Sequence, residues 1–200
     1  DPAKALATVR AEYARRFDVE AGDSLGFENT FAILVRGETA RKHGLKTISQ
    51  AAPWTPQWKA GFGYEFLERD DGYAGLSRTY GLRFAAPPAV MDLSLTPRAL
   101  AEGRVDLIAG NSTDGLIPAL DLAMLEDDRR YFPPYQAVVL ARREALQAHP
   151  GLAAALAELH GAISADTMRR LNAAVDLAKR HPKAVAAEFL AGLKSAAAVR

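Results

Sequence analysis

The sequence predicts an α/β lobe with a largely parallel sheet, continued by an all-helical tail. Three observations predict it. Short apolar runs alternate with short helical patterns from residue 31 to about 140. Gly44, Gly81 and Gly103 each fall where a helix should stop, as C-terminal caps do. From about residue 143 the apolar residues recur only at helical spacing.

The chain opens on Asp1-Pro2, a capping residue followed by a proline suited to a first helical turn. Leu6, Val9, Tyr13 and Phe17 then form one apolar face of that helix. Residues 21–26 carry Gly, Asp and Ser and are expected to be a connection. Phe31-Ala-Ile-Leu-Val35 is a continuous apolar run suited to a buried strand. The predicted strands are 31–36, 60–66, 86–91, 105–109, 122–125 and 136–141; the predicted helices between them are 38–43, 47–52, 72–80, 96–102 and 114–119. In the tail, Leu152, Leu156, Leu159 and Ile163 make one amphipathic stripe, Ser164 caps a helix carrying Met168, Leu171 and Val175, and Pro182 opens a last helix with Val185, Phe189 and Leu193. Residues 195–200 are expected to fray.

Composition narrows the function classes. A net charge of +1 carries no nucleic-acid footprint. No apolar run is long enough to span a bilayer. Cysteine is absent, which excludes disulfides, thiolate catalysis and cysteine-based metal sites. The start shows no charged-then-apolar signal segment, so the chain is expected to begin mid-protein or after processing.

A search for chemistry finds no catalytic constellation. His43, His149, His160 and His181 show no metal-ligand spacing. Gly61-Phe62-Gly63 lacks the third glycine of a dinucleotide fingerprint, and Ser112 has no nucleophile elbow around it. Asp70/Asp71 and Asp127/Asp128 are adjacent pairs whose members point apart, and they read as solvated loop charge. What remains is a set of aromatic and polar residues at strand ends: Asn29, Phe31, Tyr64, Arg69, Tyr73, residues 111–114 and residues 131–135. Ligands of open α/β sheets bind at strand ends, aromatic faces hold cations, and a guanidinium holds a carboxylate. That chemistry is binding without turnover.

Four segments occur in order: Gly26-Phe-Glu-Asn-Thr-Phe-Ala32, Glu65-Phe-Leu-Glu-Arg-Asp-Asp-Gly-Tyr73, Ser112-Thr-Asp-Gly115, and Leu125-Glu-Asp-Asp followed by Phe132-Pro-Pro-Tyr135. Together they resemble the glycine betaine/choline-type substrate-binding proteins of osmoprotectant ABC importers. The resemblance implies the type II periplasmic-binding-protein architecture, two α/β lobes that close on ligand. It divides the chain into 1–24, a helix and hinge approach of lobe one; 25–134, lobe two; and 135–200, the return strand and C-terminal helices of lobe one. The N-terminal part of lobe one is then missing from this chain. The resemblance also implies a small quaternary ammonium ligand; with the histidine spacing and net charge above, no cofactor, no metal and no nucleic-acid partner are expected. An ABC permease, separate or fused, would work with its own ATPase subunit at the periplasmic or extracellular face of the membrane.

Residue by residue, the resemblance implies that Phe31 stands at the place of a cage tyrosine and that Asn29 helps bind the polar end of the ligand. Arg69 matches the arginine that grips a betaine carboxylate. Asn111 stands where another cage tyrosine is expected, and Thr113 belongs to the same segment. The final cage tyrosine is Tyr135 or, with another gap placement, Tyr131. Phe31 keeps the ring face and loses the hydroxyl. Asn111 removes a ring and supplies an amide, which points to a ligand with an additional hydrogen-bonding group. Two rival readings are an effector-sensing domain of a transcriptional regulator sharing the two-lobe fold, which would need a DNA-binding helix-turn-helix, and an enzyme, which would need converging acid/base or metal groups.

Overall fold

A computed structural model describes residues 1–198. Helix α1 (Pro2–Phe17) is capped as predicted, with the Asp1 carboxylate accepting from the Ala3 and Lys4 backbone N–H groups at 2.9 and 3.2 Å. It stops at Asp18, which takes the left-handed conformation with φ 52°. The segment expected to be a connection is instead part of strand β1 (Val19–Glu28). Its composition is poor for a strand, but the backbone is held from outside. Ser24 and Leu25 carbonyls accept from the Gly161 and Ile163 N–H groups at 2.9 Å each. Gly26 has φ +109°, and a Cβ there would lie 2.9 Å from the Ile163 carbonyl oxygen, so only glycine permits this approach.

The chain continues through β2 (Phe31–Arg36), α2 (Gly37–His43), α3 (Ile48–Ala51), a 3₁₀ turn (Ala52–Gln57), β3 (Ala60–Gly63), α4 (Tyr64–Glu68) and α5 (Tyr73–Tyr80). Next come β4 (Ala89–Met91), a 3₁₀ turn (Leu93–Leu95), α6 (Thr96–Ala101), β5 (Leu107–Asn111), α7 (Leu116–Ala119) and β6 (Leu122–Leu125). The tail holds β7 (Gln136–Arg142), α8 (Arg143–Ala148), α9 (Leu152–Ala157), α10 (Ala165–Asp176) and α11 (Pro182–Ala198).

The predicted strand 60–66 is half strand and half helix, since the backbone turns into α4 at Tyr64. The single tail stripe ending at Ile163 is also corrected: α9 ends at Ala157, and Gly161 turns the chain with φ +65°. Residues 199 and 200, part of the end expected to fray, lie outside the described residues.

Two compact units form, residues 1–29 with 134–200, and residues 30–133. In the first, β1 and β7 pair antiparallel from Val19↔Arg142 to Glu28↔Gln136, and among the described residues Ile163 and Val185 are its buried apolar ones. The second contains a five-stranded sheet in the order β4-β3-β5-β2-β6. Its pairings are mixed, not largely parallel: β3 pairs parallel with β4 and β5, whereas β2 is antiparallel to both β5 and β6. The apolar runs announce burial on both faces but do not encode strand direction. Side chains of β2 alternate between the faces. Ile33 and Val35 join Phe62, Phe66, Leu76 and Leu107 in one core; Ala32 and Leu34 join Leu100, Ile108, Ile117 and Leu122 in the other.

Leu34→Ala empties a fully buried site in the central strand. It should lower unfolding free energy by about 2–5 kcal/mol in urea titrations, whereas Val90→Ala, on an exposed edge position, should change it by less than about 0.5 kcal/mol.

Candidate functional site

One rim of the five-stranded sheet collects most of the predicted residues. β3 and β5 run in the same direction and β2 against them, so the carboxyl ends of β3 and β5 lie beside the start of β2. Phe31 therefore pairs directly with Asn111 across the ladder. The register is locked just outside it: Ser112 N–H donates to the Thr30 carbonyl at 2.9 Å, and Thr30 N–H donates to Ser112 Oγ at 3.1 Å. Thr113 is buried in the turn that follows, where Asp114 N–H donates to the Asn111 carbonyl at 3.1 Å.

Phe31 sits in an aromatic nest. Its ring meets Phe66 edge-on at 4.8 Å between centroids and tilts against Phe132 at 6.0 Å. Phe132 in turn meets Tyr131 edge-on at 5.1 Å. The Arg69 guanidinium lies 5.6 Å from the Phe31 ring centroid, within cation–π range. Tyr73 belongs to the core instead, packed on Phe62 at 5.1 Å. Tyr64 stands 65% exposed at the carboxyl end of β3.

The charges around this nest are more organised than their sequence suggests. Arg69 Nε and Nη2 donate to the two Asp71 carboxylate oxygens at 2.6 and 2.9 Å, and Nη1 donates to Glu65 at 3.1 Å. Asp127 accepts from the Tyr80 hydroxyl, from Tyr131 N–H at 2.9 Å and from Phe132 N–H at 2.8 Å. The prediction of solvated loop charge is thus corrected for Asp71 and Asp127, which turn inward, while their neighbours Asp70 and Asp128 are exposed. Members of each pair do point apart; for one of each pair, the inner direction holds donors.

Tyr131 is fixed at both ends. Its hydroxyl donates to the Gly72 carbonyl at 3.0 Å, and a Cβ at Gly75 would lie 2.1 Å from the Tyr131 hydroxyl oxygen. Burial, and then the charge of Asp71, pushes the Tyr131 hydroxyl above the ordinary phenol range. Burial, and then the bond to Asp127, does the same to Tyr80.

Asn29 and Tyr135 belong to the other compact unit. There Asn29 N–H donates to the Tyr135 carbonyl at 3.1 Å, extending the β1–β7 ladder. The Tyr135 side chain is 38% exposed and lines a groove of about 210 Å³ with Leu6 and Val9 of α1. Among the described residues, no cluster of three or more His, Asp or Glu could hold a metal ion, and no helix is long and apolar enough to cross a membrane.

Residues 3–192 match the model of the family described as the substrate-binding domain of the ABC-type glycine betaine transport system. The chain belongs to this family. The chain is 39% identical over 191 residues to the carnitine transport binding protein OpuCC of Listeria monocytogenes, covering 95% of this chain and 62% of that protein. It is 32% identical over 183 residues to the ergothioneine transport permease/ergothioneine binding protein EgtU of Helicobacter pylori, covering 92% of this chain and 33% of that protein. A solved glycine betaine/carnitine/choline ABC transporter structure superposes with a TM-score of 0.90 at 38% identity, over 96% of this chain and 70% of that one. The fold is that of the type II periplasmic binding proteins.

Sequence reasoning missed Asp71, Glu65 and Asp127 as organisers of this rim. The spacing Glu65–Arg69, one helical turn, and the two-residue step to Asp71 were the available signals. Asp127→Ala should leave the Tyr80 hydroxyl and the Tyr131 and Phe132 N–H groups without their acceptor. A loss of about 1–3 kcal/mol is expected by chemical denaturation, with a smaller loss for Asp128→Ala, whose exposed carboxylate accepts only from Ser49 N–H at 3.2 Å among the bonds described.

Proposed function

We propose that this chain is the ligand-recognising portion of an ABC importer's substrate-binding protein and not an enzyme. Its ligand is a small quaternary ammonium compound of the glycine betaine, carnitine or choline type, bound without a cofactor. The ligand is handed to a permease served by a separate ATPase subunit, on the periplasmic or extracellular face of the membrane. The observation that carries this reading is the Arg69 guanidinium over the Phe31 ring, beside Phe132 and Asn111. A ring face that attracts one cation within the chain suits a trimethylammonium head, worth about 0.5–2 kcal/mol per desolvated ring. The guanidinium beside it suits a carboxylate.

The named relatives are transport proteins, which supports the importer reading over the effector domain of a regulator. The chain spans 62% of the length of the Listeria relative, so ligand contacts beyond this chain belong to the proposal as well.

In the full-length protein, a melting-shift and calorimetry panel of glycine betaine, choline, carnitine, proline betaine and ergothioneine tests the reading. A true ligand at 100 times its Kd adds about 2.7 kcal/mol of stability. Arg69→Ala should weaken carboxylate-bearing ligands by at least about tenfold, the loss of a charge-assisted bond. A flat response across the panel would sink the quaternary ammonium assignment. Asn111→Tyr restores a ring opposite Phe31 and should shift preference toward ligands with a bare trimethylammonium head; unchanged preference would remove Asn111 from the ligand set.

A further inference from the structure

Arg69 meets its carboxylates in the geometry by which arginine recognises carboxylates in general. The Nε and Nη2 edge forms parallel bonds of 2.6 and 2.9 Å to Asp71, and Nη1 bonds Glu65 at 3.1 Å. The Asp71 pair is the more sheltered one. The side chains of Arg69 and Asp71 are 35% and 23% exposed, whereas Glu65 is 70% exposed and screened by water.

The local backbone builds this clamp. Gly72 N–H donates to the Arg69 carbonyl at 3.0 Å, closing a turn that sets residues 69 and 71 side by side. A Cβ at Gly72 would lie 2.0 Å from the Phe66 carbonyl oxygen, so the turn is pressed against α4. Tyr131 holds the same turn from the other side through the Gly72 carbonyl. The guanidinium is thereby held at 5.6 Å from the Phe31 ring centroid.

Two consequences follow for any ligand at this rim. A carboxylate approaching Arg69 meets a guanidinium whose Nε edge is taken and whose charge is balanced by Asp71. A cation approaching Phe31 meets a ring beside a guanidinium already paired with Asp71 and, more exposed, Glu65, not beside an uncompensated positive charge. Asp71 thus disfavours the carboxylate end of a zwitterion and favours a bare cation, through one interaction.

We propose that Asp71 is a specificity-determining residue, whose clamp on Arg69 sets the balance between zwitterionic and purely cationic quaternary ammonium ligands. This rests on the quaternary ammonium reading above. Glycine betaine and choline are the probes, since they share the trimethylammonium head and differ in carboxylate against hydroxyl.

Calorimetry on the full-length protein compares their Kd values in the wild type and in Asp71→Asn. The variant should bind glycine betaine more tightly and choline more weakly, moving the ratio of the two Kd values by about tenfold toward the betaine. Asp71→Glu, which keeps the charge, should restore the ratio toward that of the wild type. Asp71→Ser, which also removes the charge, must shift the ratio as Asn does, and it carries the test should the Asn variant fail to fold. An unchanged ratio, or equal weakening of both ligands, makes Asp71 a structural residue only and overturns the inference. A wild type that binds neither probe overturns this inference, whereas the quaternary ammonium reading falls only if carnitine, proline betaine and ergothioneine fail as well, an outcome distinct from an unshifted ratio.

Discussion

The antiparallel register of β2 against β5 is the constraint on which the rim of the larger unit depends, because a slip of one residue would exchange the two faces of the strand. With Ile33 and Val35 in one core and Ala32 and Leu34 in the other, that exchange would misplace both cores at once. The Thr30–Ser112 bonds close the ladder at its open end and leave Phe31 paired with Asn111. The aromatic nest then assembles from elements already placed by the core: Phe66 from α4, and Phe132 from the loop after β6.

Much of this was legible where burial and periodicity agree. The run at residues 31–36 is the observed β2, and Asp1, Ser164 and Pro182 open helices where their chemistry places them. The miss at β1 has a different cause. Gly22, Asp23, Ser24 and Gly26 carry turn chemistry, and only pairing with β7 and with residues 161–163, distant in sequence, makes them a strand. Likewise, nothing local tells that β2 opposes its neighbours, because a residue buried on both faces is apolar in either direction.

The candidate residues were legible as types and less so as partners. Phe31 and Arg69 come together as ring and cation, which their separation in sequence does not announce. The acids were harder to read because an adjacent Asp pair looks like solvated charge until the fold supplies donors. Asp127 finds two backbone N–H groups of its own loop and the Tyr80 hydroxyl, and so fixes the segment bearing Tyr131 and Phe132. A carboxylate spent on organising aromatics is invisible to spacing rules, because its partners are mainly main-chain atoms.

The two chemistries suited to a quaternary ammonium zwitterion, a ring face and a guanidinium, attract each other within this chain. Held by Asp71, the guanidinium is neither a freestanding anion receptor nor an intrusive cation. A ligand bound at such a rim, as proposed, would exchange one set of paired charges for another, so the net gain would be a difference between similar terms. On that proposal, small changes in the internal partner would alter selectivity more than overall affinity, since the two ligand classes draw on opposite sides of that difference.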